Sequence, residues 1–245
     1  MQKQYAVTIP AYHPSKNLPN YVKNLAANGV PCILVVNDGN SPKYDSIFLQ
    51  LSDIPECVVL NHSVNKGKGA AMKTAFRYFL ERTESWKGIV TADADDQHAV
   101  EDVVKVGDEL VKDGTCLVLG SRTFEYGKVP TRSYIGNTLT SFVFKQLFKC
   151  SIRDTQTGLR GIDRHSLQWI TRLRGEKFDY EMNMLINAAK RKIPVKEMTI
   201  QTIYHKNHQS NYRSYQDSIR IIRHLLTGFF TKKSLPRTKA EEEAL

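Results

Sequence analysis

The first half of the chain alternates between short apolar runs and amphipathic stretches, and this alternation limits the fold more than any other feature. The β-rich runs are YAVTI (Tyr5–Ile9), CILVVN (Cys32–Asn37), CVVLN (Cys57–Asn61), GIVTA (Gly88–Ala92) and CLVLG (Cys116–Gly120). Helical spacing lies between them at Asn17–Asn28, Gly69–Arg82 and Ala99–Lys112. In the last of these, Val100, Val103, Val104, Leu110 and Val111 keep one stripe while acids and lysines fill the gaps. Strands that are apolar nearly throughout must be covered on both faces. The pattern therefore predicts an α/β fold, a mostly parallel sheet with helices on both sides.

In such a sheet, ligands gather beyond the carboxyl ends of the strands. The residues there are PAYHP, DGNS, NKGKG, DADDQH and SR in turn. Each end carries turn-forming, polar or charged groups, so the chemistry is expected along this rim.

DADDQH is the most informative of the five. Asp93, Asp95 and Asp96, with Glu101 close behind, concentrate acid in a chain of formal charge +10. Carboxylates this close repel one another and call for a counter-charge. Asp93 and Asp95, one residue apart at a strand end, can reach one side of a turn; their hard oxygens, with Gln97 as a neutral third, suit Mg²⁺ or Mn²⁺. A solvated acidic turn ahead of the helix at Ala99 is the competing explanation, and the strand-end position argues against it.

The other motifs are weaker alone. NKGKGAAMKT follows a strand and opens a helix, but Met72 precedes Lys73 and Thr74 where a phosphate loop requires glycine. It reads equally as a close-packing glycine turn and as helix-start amides with Lys66 or Lys68 facing a phosphorylated ligand. Asp38 before Gly39 suits a turn, or a carboxylate facing a base or ribose. Arg122, Arg132 and Arg160 offer guanidinium forks for phosphate oxygens, with solvated surface arginine as the default. Asp179 and Glu181 lie near a helix start, where the helix dipole favours acids and where a general base could also stand. His98 reads as a local hydrogen-bonding residue.

The second half is less regular. Thr131–Lys149 predicts a helix with a wide apolar surface (Ile135, Leu139, Phe142, Val143, Phe144, Leu147, Phe148), followed by the turn-rich DTQTGLRGID. Phe178–Arg191 reads as a helix, the residues after it as extended, and Asp217–Lys233 as a basic helix. That helix suits contact with an anionic membrane surface, or packing on the core with a solvated basic face. Residues 1–233 are expected to form one domain, in two halves at 1–122 and 123–233, and 234–245 to form a mobile tail. Cys32, Cys57, Cys116 and Cys150 form no CxxC pair and suit reduced, mostly buried thiols. No leader-like apolar core opens the chain, and its longest apolar segment is too short to span a bilayer, so a cytoplasmic location is expected, peripheral on the inner face of the membrane. The basic excess comes with no nucleic-acid-binding motif, so no nucleic-acid partner is expected.

The order of motifs resembles the family-2 glycosyltransferases of the GT-A, Rossmann-like fold, especially the polyprenyl-phosphate sugar transferases similar to dolichyl-phosphate mannose and glucose synthases. VTIPAYHP, VNDGNS, NKGKGAAMKTAF, TADADDQH, GSR, RDTQTGLRGI, FDYEMNML and YRSYQDSIRI carry the likeness, from about Ala6 to Ile222. The resemblance implies that Pro10, Ala11, Tyr12 and Asp38 line a nucleotide-base pocket and that Asp93 and Asp95 are the DxD pair, with Gln97 as a further ligand. It implies that Arg122 and Arg132, joined by Arg213, face an acceptor phosphate, and that Asp154, Gln156, Gly158 and Arg160 lie over the sugar or acceptor. His13 and Asn37 depart from the family's usual residues.

The activity so implied is inverting transfer of a hexose from a UDP- or GDP-linked donor. A polyprenyl-phosphate acceptor is already an anion and needs arginines more than a base. A saccharide hydroxyl would need Asp179, Glu181 or Asp154 as the base. A non-catalytic nucleotide-sugar-binding module is the alternative.

Overall fold

The computed structural model describes residues 3–82, 86–113, 117–123, 131–177, 179–201 and 214–231, with the side chains at 113, 131–133 and 214–220 outside that description. Seven strands form one sheet: β1 (Tyr5–Ala11), β2 (Ile33–Asp38), β3 (Cys57–His62), β4 (Gly88–Thr91), β5 (Leu117–Arg122), β6 (Arg160–Asp163) and β7 (Val195–Ile200). Their order is β3-β2-β1-β4-β6-β5-β7. β6 runs antiparallel to both β4 and β5, and every other pairing is parallel. The helices are α1 (Leu18–Ala27), α2 (Asp45–Ser52), α3 (Lys68–Leu80), α4 (Val100–Asp113), α5 (Thr131–Phe148), α6 (Arg164–Ile170), α7 (Asp179–Arg191) and α8 (Ser214–Phe230).

The expected α/β sheet covered on both faces is present, because successive strand residues bury in opposite directions. Tyr5, Val7 and Ile9 pack with Val22 and Leu25 of α1, Leu51 of α2 and Val103 and Val106 of α4. Ala6, Leu34, Val36 and Ile89 pack on the other side with Phe76 and Phe79 of α3, Leu167 of α6, Leu185 of α7 and Leu225 of α8. The chain proceeds outward from β1 to β2 and β3, then returns to β4 on β1's other side. A sheet with that reversal opens a crevice beyond the strand ends at the switch, and β1, β2 and β4 bring Tyr12, Asp38 and Asp93 to it.

β6, α2 and α6 were not expected from the sequence. β6 is RGID, too short and too polar to register as a strand, and it is wedged between β4 and β5. α6 is capped by Asp163, which accepts from Ser166 N at 2.9 Å. The expected basic helix begins at Ser214 and ends at Phe230, and the tail from 232 lies outside the described residues.

Candidate active site

Asp93 follows the end of β4, and the residues around it come from four parts of the chain. Lys68, the first residue of α3, places Nζ 2.6 Å from Asp93 Oδ1 and 3.1 Å from Glu181 Oε1 of α7. His98 Nε2 stands 3.3 Å from Asp93 Oδ2. Gly158 presses against the same carboxylate: a Cβ there would fall 2.4 Å from Asp93 Oδ2, so any side chain would push the carboxylate aside. Burial works to raise the Asp93 pKa, but Lys68 and His98 outweigh it and hold the carboxyl well below the usual carboxylate range. Burial would lower the Lys68 pKa, and Asp93 with Glu181 reverses the effect and holds the amine above its usual range. The result is a salt-bridged cluster with its charges fixed across neutral pH.

On the far side of Asp93 a small cleft of about 50 Å³ is lined by Asp93, Gln97, His98, Arg122, Gln156, Thr157, Gly158 and Ile200. Arg122 is held at its mouth by Asp154, which is fully buried. Nε and Nη2 of Arg122 donate to the two Asp154 carboxylate oxygens at 2.7 and 3.0 Å, and Gln156 N donates to Asp154 at 3.2 Å. A buried acid that accepts a guanidinium fork fixes both its position and its plane. The DADDQH turn is itself ordered: Asp95 Oδ1 accepts from Gln97 N at 3.2 Å, Asp96 takes a left-handed φ of 62°, and Ser15 Oγ donates to Asp96 at 2.8 Å.

Asp93, Asp95 and Gln97 are hard oxygen donors on one turn, a set that suits Mg²⁺ or Mn²⁺. The ammonium of Lys68 against Asp93 marks that carboxylate as placed for a cation. Among the described residues no three His, Cys, Asp or Glu side chains converge on an ion by themselves. An ion held here would complete its shell with water and phosphate oxygens, as Mg²⁺ commonly does.

A family model, Glycosyl transferase family 2, matches residues 6–171 of the chain. The chain belongs to that family. A UDP-N-acetylglucosamine–dolichyl-phosphate N-acetylglucosaminyltransferase of Methanococcus voltae is 30% identical over 213 residues, 80% of this chain and 84% of the relative. A dolichyl-phosphate β-glucosyltransferase of Trichomonas vaginalis is 25% identical over 182 residues, 67% of this chain and 54% of that one. Among solved structures, glucosyl-3-phosphoglycerate synthase from Mycobacterium tuberculosis, in complex with Mn²⁺, UDP and phosphoglyceric acid, superposes with a TM-score of 0.66 at 17% identity. That match covers 95% of this chain and 80% of the synthase, and shows the shared GT-A architecture.

Within this family-2 glycosyltransferase the residues singled out from the sequence fall into three groups. Asp93, Gln97 and Arg122 line one cleft, with Lys68 on Asp93 and Asp95 in the adjoining turn. Pro10 and Ala11 end β1 and Tyr12 follows it; Tyr12 is half exposed and stacks on His13 with centroids 4.0 Å apart, while Ala11 is buried and offers its carbonyl, which Asn40 Nδ2 donates to at 2.8 Å. The remaining residues are placed otherwise than expected or lie outside the description. Asp38 is 2% exposed, and its oxygens accept from Lys66 N and Gly67 N at 2.9 and 2.8 Å and meet His62 Nδ1 at 2.7 Å. It holds the NKGKG loop from beneath, with Gly67 at a φ of 97°. Asp179 is exposed and accepts from Lys177 N at the start of its own helix, so Glu181, two residues on, is the α7 carboxylate that reaches the cluster. Arg160 is fully buried and donates to the carbonyls of Thr157, Glu181 and Thr155, so it braces the loop and is closed to a phosphate. The Arg132 side chain, Arg213 and Cys116 lie outside the described residues.

His98 is a local hydrogen-bonding residue, as expected, with Asp93 as its partner, whereas the Lys68–Glu181 contact was missed because the two residues lie more than a hundred positions apart. Cys32, Cys57 and Cys150 form no disulfide with one another, Cys32 and Cys57 being buried, and burial pushes the Cys57 thiol up to about 12. No helix among the described residues is long and apolar enough to cross a membrane. Ile135, Leu139 and Phe142 of α5 and Leu226, Phe229 and Phe230 of α8 are nevertheless exposed, and Phe229 meets Phe148 edge-on at 5.8 Å.

Proposed function

We propose that this glycosyltransferase moves a hexose from a UDP- or GDP-linked donor to a polyprenyl phosphate, with inversion and with the help of Mg²⁺ or Mn²⁺. The observation that carries the reading is the pairing of Arg122, locked by Asp154, with Asp93 in one cleft. The cleft joins a cation-seeking carboxylate to a rigid guanidinium suited to a phosphate.

In this reading Pro10, Ala11 and Tyr12 bound the base, and Lys68 leaves Asp93 to meet the donor diphosphate. Asp93, Asp95 and Gln97 hold the ion, which when bound supplies positive charge to the departing nucleoside diphosphate. Arg122 and Arg132 orient the acceptor phosphate against the anomeric carbon. A phosphate is ionised at neutral pH, so orientation contributes more than proton removal. The similarity to the Methanococcus voltae transferase makes a UDP-linked donor and a dolichyl-type acceptor the first pair to test.

The apolar surface shared by α5 and α8, in a chain of formal charge +10, supports peripheral contact with an anionic membrane, where such an acceptor resides. Residues 1–233 then act as one domain whose two halves meet at this cleft.

Glu181, 7% exposed and in the cluster, favours a second reading in which a saccharide hydroxyl is the acceptor and a base is needed. One experiment separates them. Radiolabelled UDP-N-acetylglucosamine, UDP-glucose and GDP-mannose are incubated with Mn²⁺ and either a polyprenyl phosphate or an oligosaccharide. Label extracted into organic solvent supports the first reading. Label found only on oligosaccharide supports the second, and no transfer from any donor sinks both.

A further inference from the structure

Between α1 and the start of α4 lies a second groove, of about 320 Å³, which shares only His98 with the cleft. Its chemistry comes from Asn17, Tyr21, Asn24, Asp96, His98 and Glu101. Two of these residues, 6% and 7% exposed, each carry a polar atom with no hydrogen-bond partner among the described residues: Tyr21 Oη and His98 Nδ1. A buried polar atom without a partner is costly, and native structures rarely keep one unless water or a ligand reaches it. The volume is at the lower end of the range for small-molecule sites.

The lining states what would fit. No lysine or arginine contributes, so an anion finds no counter-charge. Amides, a phenol, an imidazole and two carboxylates share the wall with Ala99 and Val100, so the groove offers hydrogen bonds beside an apolar face, as a sugar ring requires. Such a mixture of donors and acceptors matches hydroxyl groups, each of which gives and takes one bond.

We propose that this groove is a second saccharide site, separate from the transfer cleft, which takes a neutral hexose-sized ring through its hydroxyls, with Tyr21 and His98 as its buried contacts. His98 also forms the wall between groove and cleft. A sugar hydroxyl donated to Nδ1 leaves the ring proton on Nε2, directed at Asp93 3.3 Å away. A sugar in the groove thereby steadies the carboxylate on which the cleft depends.

The test is saturation-transfer NMR with glucose and N-acetylglucosamine in the millimolar range, on the full chain with and without UDP and Mg²⁺, with methyl phosphate as a charge control. The expected result is sugar contact that survives saturation of the cleft with UDP, absence of contact with methyl phosphate, and binding about fivefold weaker in Tyr21→Phe and in Asn24→Ala, the scale of one lost hydrogen bond. Tyr21→Phe removes an unsatisfied hydroxyl, so its melting temperature is expected to hold or rise, which excludes misfolding as the cause of weaker binding. Sugar contact displaced by UDP, equal binding in both variants, or no contact at all overturns the proposal and leaves a groove filled only by water. If UDP itself fails to bind, the donor reading falls, and the sugar titration of the two variants still judges the groove.

Discussion

Lys68 Nζ lies 2.6 Å from Asp93 Oδ1, so the first residue of α3 neutralises the carboxylate that follows β4. Glu181 Oε1, 3.1 Å from the same nitrogen, completes a cluster drawn from three elements. In the proposed reading, an arriving ion and diphosphate take over the place that Lys68 holds at Asp93, and Lys68 follows the phosphate. Lys68→Met is therefore expected to lower kcat/KM for the donor about thirtyfold, the scale of one charge-assisted hydrogen bond. Steady-state kinetics check this; a change below twofold would remove Lys68 from donor binding.

The two carboxylates of α7 are expected to behave differently. Glu181→Gln disturbs Lys68 and should cost roughly tenfold in kcat/KM, the effect of weakening one buried ionic contact. Asp179→Asn touches only the start of its own helix and should stay within about 0.5 kcal/mol in stability, with activity unchanged. Comparable losses in the two variants would contradict the placement of Glu181.

Gly158→Ala puts a methyl group 2.4 Å from Asp93 Oδ2. The carboxylate must turn away from Lys68, and the crowding should cost about 1–3 kcal/mol of stability together with most of the activity. Thermal melts and the transfer assay check both, and an unperturbed variant would mean that Asp93 has room to spare.

The ion pair also sets a pH dependence. Asp93 is held below its unfolded value, so its contribution is present above about pH 4 and is lost as pH falls. Lys68 is held above its unfolded value, so its contribution is present below about pH 10 and is lost as pH rises. The gap in melting temperature between the wild type and Lys68→Met is expected to be level between about pH 5 and 9 and to narrow on both sides. A gap of constant size down to pH 3 would deny the pair its part in folding.

The parallel strands were legible because both their faces are covered, which makes Ile33–Val36 and its counterparts apolar without alternation. The rim residues followed from that, since strand ends locate the site. β6 was not legible, because Arg160 and Asp163 bury through carbonyl and amide partners that only the fold supplies. Asp38 looked like a ligand-facing acid because nothing local reveals that the amides of Lys66 and Gly67 close over it. Choosing Glu181 over Asp179 required the position of Lys68, more than a hundred residues away in sequence. The breadth of the apolar surface on α5 was visible in its sequence, and the structure adds that Phe144 turns inward while Ile135 and Phe142 face out.

The central claim is that Asp93 and Asp95 hold a divalent ion against a nucleoside diphosphate. Isothermal titration of UDP into the protein, with and without Mn²⁺, tests it most directly when repeated on Asp93→Asn and Asp95→Ala. The account predicts UDP binding that strengthens at least about tenfold with Mn²⁺ in the wild type, and loses that gain, along with transfer, in both variants. Equal UDP affinity with and without Mn²⁺, or a gain that survives in both variants, would contradict it.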